Sequence, residues 1–130
     1  MKGSLRIHQT VGGETLLALD EKEYRFDPGM VVISDDEGVE SIAGIMGGEA
    51  TGVTEDTVNV FVESAYWDPV QIAYAGRALK INSDARYRNE RGIDPEFNME
   101  GHELATQMIL DLCGGEPSNV VVAGEVPDVS

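Results

Sequence analysis

The sequence predicts an α+β fold, with a mixed or antiparallel sheet and two or three helices packed on it in a single domain. The 130 residues are 42% hydrophobic, which suffices for one core and is short for two ordinary domains. The first half contains short alternating or β-branched runs separated by glycines and acidic turns. The second half contains two Asp-Pro pairs, each followed by apolar residues at helical spacing.

Short strands are expected along the first half of the chain. Each candidate is a β-branched or aromatic run bounded by residues that favour turns. The candidates are Ser4–Gln9, Thr15–Leu19, Lys22–Phe26, Met30–Ser34 and Glu40–Gly44. The acidic stretch at 35–38 is expected to form a solvated hairpin turn.

The longest strand candidate is Thr57–Tyr66, whose side chains alternate in polarity. The alternation places Glu63 on one face with Phe61 and Ala65. A carboxylate beside apolar neighbours costs free energy unless it meets a partner. Two interpretations are open, an edge-strand charge that limits aggregation and a group that binds a ligand.

Two helices are expected in the second half. Asp68 supplies an N-cap and Pro69 the first helical position of a short helix that ends near Leu79. Asp94 and Pro95 provide the same N-cap and first helical position for a longer helix. That helix is predicted to end at Gly114-Gly115. The apolar stripe of that helix comprises Phe97, Gly101, Leu104, Ala105, Met108, Ile109 and Leu112. Cys113 is expected to be a buried free thiol on the same face, and a final strand is predicted at Asn119–Ala123.

The charge of the chain restricts its partners. Nine Lys+Arg against 24 Asp+Glu give a net charge of −15, so most of the surface repels nucleic acid and anionic membranes. Any contact with RNA must be local, and five of the nine basic residues fall in one 15-residue stretch. They are Arg77, Lys80, Arg86, Arg88 and Arg91. A solvated face, internal ion pairs and a phosphate contact are all open interpretations of this cluster.

Several site classes and compartments are disfavoured by the sequence. A single cysteine allows no internal disulfide, no apolar run reaches membrane-spanning length, and no signal-peptide pattern begins the chain. A cytoplasmic protein without membrane contact is therefore expected. His8, His102 and Cys113 lack the paired spacing of metal ligands, and no motif of a serine nucleophile is present. Glu49 and Glu63 could form a catalytic carboxylate pair of the glycosidase kind. In so acidic a chain, however, two glutamates are weak evidence for such a pair.

The stretch GGEATGVT at 47–54 is close to a phosphate-binding loop. Such a loop needs a lysine before its final hydroxyl residue and a helix immediately after it. Val53 stands where the lysine belongs, and a strand is predicted from Thr57 onward. We interpret Gly44, Gly47, Gly48 and Gly52 as backbone that turns tightly and lets another group approach closely.

Four sequence blocks together identify a family by their order and spacing. They are AGIMGGE at 43–49, GV at 52–53, VESAYWDP at 62–69 and SDARYRNERGIDP at 83–95. The set resembles the central editing domain of the bacterial phenylalanyl-tRNA synthetase β chain, and LCGG at 112–115 fits as well. The resemblance covers nearly the whole chain, so residues 1–130 are expected to form this one domain.

The resemblance implies hydrolysis of tyrosine wrongly attached to phenylalanine tRNA. A hydrophobic synthetic pocket cannot strongly reject an isostere that adds a hydroxyl, so a second site must remove it. By the resemblance, Glu63 matches the glutamate that recognises this hydroxyl, Gly47 a glycine lining the pocket, and Ala85 a small wall residue. Ser83 stands where many members carry threonine, which preserves a hydroxyl. No covalent nucleophile is implied, so a positioned water is expected to attack the ester.

The resemblance also implies a larger enzyme around this domain. The parent ligase joins phenylalanine to tRNA(Phe) with ATP and magnesium, and no cofactor is expected in these residues. Expected partners are tRNA(Phe) and the synthetase α chain, without membrane or DNA. A pocket histidine of the family, in a Leu-His-Ala-Phe-Asp-like segment, is expected upstream of this sequence, and His8 does not replace it. The chain alone is accordingly expected to be an inactive, truncated piece.

Two alternatives from other functional classes stay open. One is a non-catalytic structural or tRNA-docking module, in which the basic cluster matters and Glu63 does not. The other is a free-standing aminoacyl-tRNA hydrolase or amino-acid-binding protein built on the same domain.

Overall fold

The α+β class is confirmed by a computed structural model that describes residues 3–124 and contains antiparallel sheets and three α-helices. Two compact units can be distinguished along the chain. The first combines Met1–Val58 with Trp67–Ile93, and the second combines Asn59–Tyr66 with Asp94–Ser130. Among residues 3–124, every strand lies in the first unit and the longest helix lies in the second.

Six strands follow one another in the first unit. They are β1 (Arg6–Gln9), β2 (Thr15–Leu17), β3 (Glu23–Arg25), β4 (Val31–Asp35), β5 (Gly38–Ile42) and β6 (Met46–Gly47). Four of them form an antiparallel sheet in the order β1-β4-β5-β6, while β2 and β3 pair with each other. All five strands predicted before residue 45 are present, with ends shifted by at most two residues. The predicted turn at 35–38 joins β4 to β5, and the two residues of β6 are too few to show an alternation in sequence.

The core of the first unit joins strand residues to the first helix, α1 (Pro69–Leu79). Val32 and Ile42 on neighbouring strands pack in one cluster with Ile72 and Ala75 of the helix. The two helical residues are three apart and therefore lie on one face. Asp68 caps the helix by accepting a hydrogen bond of 2.9 Å from the N–H of Val70, as predicted.

A second helix, α2 (Asp84–Asn89), follows within the same unit. Ser83 is its N-cap, with a hydroxyl that accepts a hydrogen bond of 3.0 Å from the N–H of Arg86. No sequence pattern predicts this helix, because six residues form fewer than two turns and show no period.

The second unit contains a short 3₁₀ turn, Pro95–Phe97, that leads into α3 (Asn98–Cys113). The predicted start at Asp94-Pro95 and the end at Gly114 are confirmed. The expected burial of Cys113 is wrong, since the thiol is exposed at the last residue of the helix. The apolar stripe of α3 also stays solvent-accessible, and the helix has no buried residue.

The strands predicted at Thr57–Tyr66 and Asn119–Ala123 are absent. Alternating polarity allows pairing, but a strand forms only where a second strand completes the ladder. Within residues 3–124 neither segment has such a ladder. The backbone near Glu63 is held instead by α3: a His102 ring nitrogen lies 3.1 Å from the carbonyl oxygen of Val62, and Ser64 Oγ donates to that of Asn98 at 3.1 Å. None of the described helices combines the length and apolar character needed to cross a bilayer.

Candidate functional site

The four predicted pocket residues are divided between the two units. Gly47, Ser83 and Ala85 belong to the first, and Glu63 belongs to the second. The surroundings of each group follow from the local contacts of its own unit.

The turn at 43–45, between β5 and β6, depends on a glycine. Gly44 has a φ of +69°, a backbone conformation that side chains disfavour. A Cβ at this position would also lie 2.6 Å from Cδ1 of Trp67 and 2.9 Å from Cδ1 of Ile72. The turn is therefore in close contact with α1 and with the residue that precedes its N-cap.

The glycine-rich stretch after this turn does not form a phosphate-binding loop. Gly47 ends β6, and the next helix of the described chain begins only at Pro69, so no helix N-terminus faces the loop. A Cβ at Gly48 would lie 2.6 Å from the carbonyl oxygen of Glu40, which explains that glycine by close approach of two backbones. The interpretation of the glycines as room for close approach is thus confirmed at Gly44 and Gly48.

Gly47 borders a side chain that sequence reasoning did not identify. A Cβ at this position would meet Cδ1 of Leu19 at 3.4 Å, and a Cβ at Gly52 would meet Cδ2 of the same leucine at 2.9 Å. Leu19 is 52% exposed, and its N–H donates to the carbonyl oxygen of Gly47 at 3.0 Å. The surface beside Gly47 is therefore bounded by an apolar side chain. The contact joins residues 28 positions apart, so no local spacing reveals it.

Ser83 and Ala85 lie at the N-terminal end of α2 with different exposure. Ala85 is exposed on the first turn, while the hydroxyl of half-buried Ser83 donates to the carbonyl oxygen of Ile45 at 2.7 Å. Because the same hydroxyl accepts from the N–H of Arg86, its donor and one acceptor position are occupied. One acceptor position remains for a ligand. Asn89, at the other end of α2, donates from Nδ2 to the carbonyl oxygen of Gly44 at 2.9 Å.

Two of the five predicted RNA-contacting cations have internal partners. Arg86 pairs with Glu90 at 3.0 Å and donates from Nη1 to the carbonyl oxygen of Ile81 at 2.7 Å. Arg91 stacks its guanidinium 3.7 Å from the ring centre of Tyr87 and donates to the carbonyl oxygen of Tyr87 at 2.8 Å. These contacts compete with any phosphate for the same donors.

The other three cations have solvent-accessible side chains. Arg77 and Lys80 lie at the C-terminal end of α1, and Arg88 lies on α2. Within residues 3–124 none of the three side chains forms an ion pair or a hydrogen bond. They retain all their donors for an external anion.

Glu63 lies on an extended segment and has no hydrogen-bond partner in the described part of the chain. Its side chain is exposed as a whole, but nearby protein atoms remove water from the carboxyl group, and this desolvation raises the pKa of Glu63. An acceptor without a partner and with reduced hydration is suited to receive a hydrogen bond from a ligand hydroxyl.

A serine and a histidine do meet in the first unit, although their spacing does not reveal it. His8 Nε2 lies 2.7 Å from Oγ of Ser34. Ser34 is only 6% exposed, and the other ring nitrogen of His8 lies 3.2 Å from the carbonyl oxygen of Gln9. A hydroxyl this deeply buried is poorly placed to reach a substrate, so this pair fits a structural role.

Comparison with known proteins supports the resemblance given above. Residues 1–114 match the family model described as the B3/4 domain. The phenylalanine-tRNA ligase beta subunit of Ruegeria pomeroyi is 76% identical over 130 residues, which is 100% of this chain. Beta subunits from Cereibacter sphaeroides and Bradyrhizobium diazoefficiens are 66% and 55% identical over 98% and 96% of the chain. The chain spans 16% of the length of each of these relatives.

Proposed function

We propose, because the chain belongs to the B3/4 domain family, that it is the editing domain of a phenylalanine-tRNA ligase beta subunit. Its substrate is tRNA(Phe) wrongly esterified with tyrosine, and its reaction is hydrolysis of that ester. The observation that carries the proposal is the carboxylate of Glu63, which has no hydrogen-bond partner among residues 3–124 and is partly desolvated.

The proposed selectivity depends on a hydrogen bond that only tyrosine supplies. The phenol O–H donates to the Glu63 carboxylate, while phenylalanine would leave that desolvated acceptor unpaired. A site that pairs a substrate hydroxyl rejects the analogue without it far better than an apolar pocket rejects an added hydroxyl. Gly47 and Ala85 are the small residues that, by the resemblance, leave room for an aromatic ring. Leu19 offers an apolar contact beside Gly47.

The proposed chemistry is attack by water on the aminoacyl ester. Water adds to the ester carbonyl, the bond to the ribose oxygen breaks, and that oxygen takes up a proton. The products are free tyrosine and uncharged tRNA. The described residues provide no oriented nucleophile, so binding and positioning are the contributions we assign to this chain.

The proposed setting is the cytoplasmic ligase, whose beta subunit works with an α chain and whose synthetic reaction uses ATP and magnesium. tRNA(Phe) is the proposed nucleic-acid partner. Arg77, Lys80 and Arg88 are the best candidates for phosphate contacts because their donors have no partners within the described chain.

The experiment compares deacylation of Tyr-tRNA(Phe) and Phe-tRNA(Phe) by the full ligase and its Glu63→Ala variant. Glu55→Ala serves as a matched control, because Glu55 is also exposed and lies outside the proposed site. We expect faster release of tyrosine than of phenylalanine by the wild type and the control, and loss of this preference in Glu63→Ala. An equal preference in Glu63→Ala and wild type would contradict the role of Glu63.

A tRNA-docking module is the second candidate, favoured by the three unpartnered cations. Under that function, Arg77→Ala and Arg88→Ala weaken tRNA binding by the ligase, whereas Glu63→Ala leaves deacylation unchanged. The two sets of variants therefore separate docking from editing.

A further inference from the structure

Helix α2 is fixed to the turn at 43–45 by two side chains, one near each of its ends. Asn89 Nδ2 donates to the carbonyl oxygen of Gly44 at 2.9 Å, and Ser83 Oγ donates to that of Ile45 at 2.7 Å. The two acceptors are consecutive backbone carbonyls. Both side chains are half-buried, so solvent competes only weakly for these bonds.

The same turn is packed against α1 on another side. Gly44 leaves no room for a side chain beside Trp67 and Ile72, as the 2.6 and 2.9 Å distances to a hypothetical Cβ indicate. Ile45 itself is buried in the core cluster. The turn therefore cannot shift without breaking either the core contacts or the two hydrogen bonds.

The turn leads directly into β6, which ends at Gly47. Ala85 lies two residues after Ser83, on the first turn of α2. The hydrogen bonds from Ser83 and Asn89 consequently fix the position of α2, including Ala85, relative to the backbone that carries Gly47. A displacement of either bond changes the spacing between these two small residues.

We propose that Asn89 is a positioning residue of the editing reaction, acting through the carbonyl oxygen of Gly44 to hold Gly47 and Ala85 at a fixed separation. This inference rests on the proposed editing function. Asn89 does not touch the substrate; it determines how well the tyrosine ring is oriented for attack by water. Small misplacements of a bound substrate reduce the reaction rate more than they reduce overall binding.

The test uses the full ligase with Asn89→Ala and Asn89→Asp. Alanine removes the donor, and aspartate keeps the shape while placing a carboxylate oxygen against a carbonyl oxygen. Asn119→Asp is the matched control, since it makes the same charge change at an exposed residue of the second unit. Steady-state deacylation of Tyr-tRNA(Phe) and Phe-tRNA(Phe) is measured at a temperature where circular dichroism shows each variant to be folded.

We expect kcat for tyrosine release to fall by about tenfold or more in both Asn89 variants, with KM within about twofold of wild type. The preference for tyrosine over phenylalanine should fall by a similar factor, and the control should match the wild type. If Asn89→Asp does not fold, Asn89→Gln replaces it, because glutamine keeps the donor one methylene out of place and should also lower kcat.

Wild-type values of kcat and preference in folded Asn89 variants, with only a lower melting temperature, would overturn the positioning role. That outcome would leave the editing function intact. Failure of the wild-type ligase itself to release tyrosine faster than phenylalanine would contradict the editing function, whatever the Asn89 variants do.

Discussion

The guanidinium of Arg86 fills the space that a side chain at Gly76 would need. A Cβ at residue 76 would lie 2.3 Å from Nε and 2.4 Å from Cδ of this arginine. Arg86 cannot easily move aside, because Glu90 and the carbonyl oxygen of Ile81 hold its head group and the side chain is only 13% exposed. The contact joins α1 to α2 and gives Arg86 a structural role before any contact with RNA is considered.

Gly76→Ala should therefore destabilise the fold, although alanine is the better helix former. Helix propensity alone would favour alanine by about 1 kcal/mol. Displacing the held arginine costs about 1–3 kcal/mol, as for other overpacked sites, and we expect this cost to prevail. Denaturant unfolding of the chain measures the difference.

Ala78→Gly, at an exposed position of the same helix, isolates the propensity effect. We expect the free energy of unfolding of this control to fall by about 1 kcal/mol. An increase in the free energy of unfolding for Gly76→Ala would show that the arginine adapts at little cost.

Gly44→Ala should be more damaging, because two unfavourable effects coincide. The positive φ of +69° costs about 1–2 kcal/mol for a residue with a Cβ, and the clash with Trp67 and Ile72 adds a similar amount or more. We expect a loss of about 2–5 kcal/mol in the free energy of unfolding.

Gly29→Ala separates the two effects of that substitution. Gly29 also has a positive φ, +84°, but a Cβ there would have no atom within 4 Å. The Gly29→Ala substitution should lower the free energy of unfolding by only about 1–2 kcal/mol, through backbone strain. Equal losses for Gly44→Ala and Gly29→Ala would mean that the contacts of Gly44 with α1 contribute nothing.

Sequence reasoning succeeded where the governing interactions are local. The N-cap at Asp68 and the turn at 35–38 depend on neighbouring residues, and the structure contains both. It failed where a distant partner decides the outcome. The alternation of Thr57–Tyr66 predicted a strand, but alternation does not supply a second strand to pair with.

In the candidate site, too, residues marked by a local motif were found and residues that depend on distant contacts were not. The resemblance selected Gly47, Ser83, Ala85 and Glu63 by motif. Leu19 and Asn89 were missed, because their contacts to the glycine-rich segment span 28 and 45 residues and no short pattern marks them. Internal pairing was one of three open interpretations of the basic cluster, and the contacts of Arg86 with Glu90 and Gly76 show it for that residue.

The raised pKa of Glu63 predicts a pH-dependent effect of Glu63→Gln. Desolvation disfavours the charged form in the folded chain, so the pKa in the folded state exceeds that of the unfolded state. The protonated group thus stabilises the fold below its unfolded pKa, and this contribution is lost as pH rises through the folded pKa.

Glu63→Gln should accordingly raise the melting temperature relative to wild type at neutral pH, and the gain should shrink as pH falls below the folded pKa. Thermal unfolding between pH 4 and pH 8 measures the difference, with Glu55→Gln controlling for the loss of one negative charge. A gain that grows toward low pH would contradict the predicted direction of the shift.

The most direct test of the account compares three amino acids esterified to tRNA(Phe): tyrosine, phenylalanine and O-methyltyrosine. The methyl group keeps the oxygen and the ring but removes the hydrogen that Glu63 is proposed to accept. The full ligase should release tyrosine at least about tenfold faster than the other two, and Glu63→Ala should remove this advantage. Release of O-methyltyrosine at the tyrosine rate would show that no hydroxyl donor is recognised, and would contradict the central claim.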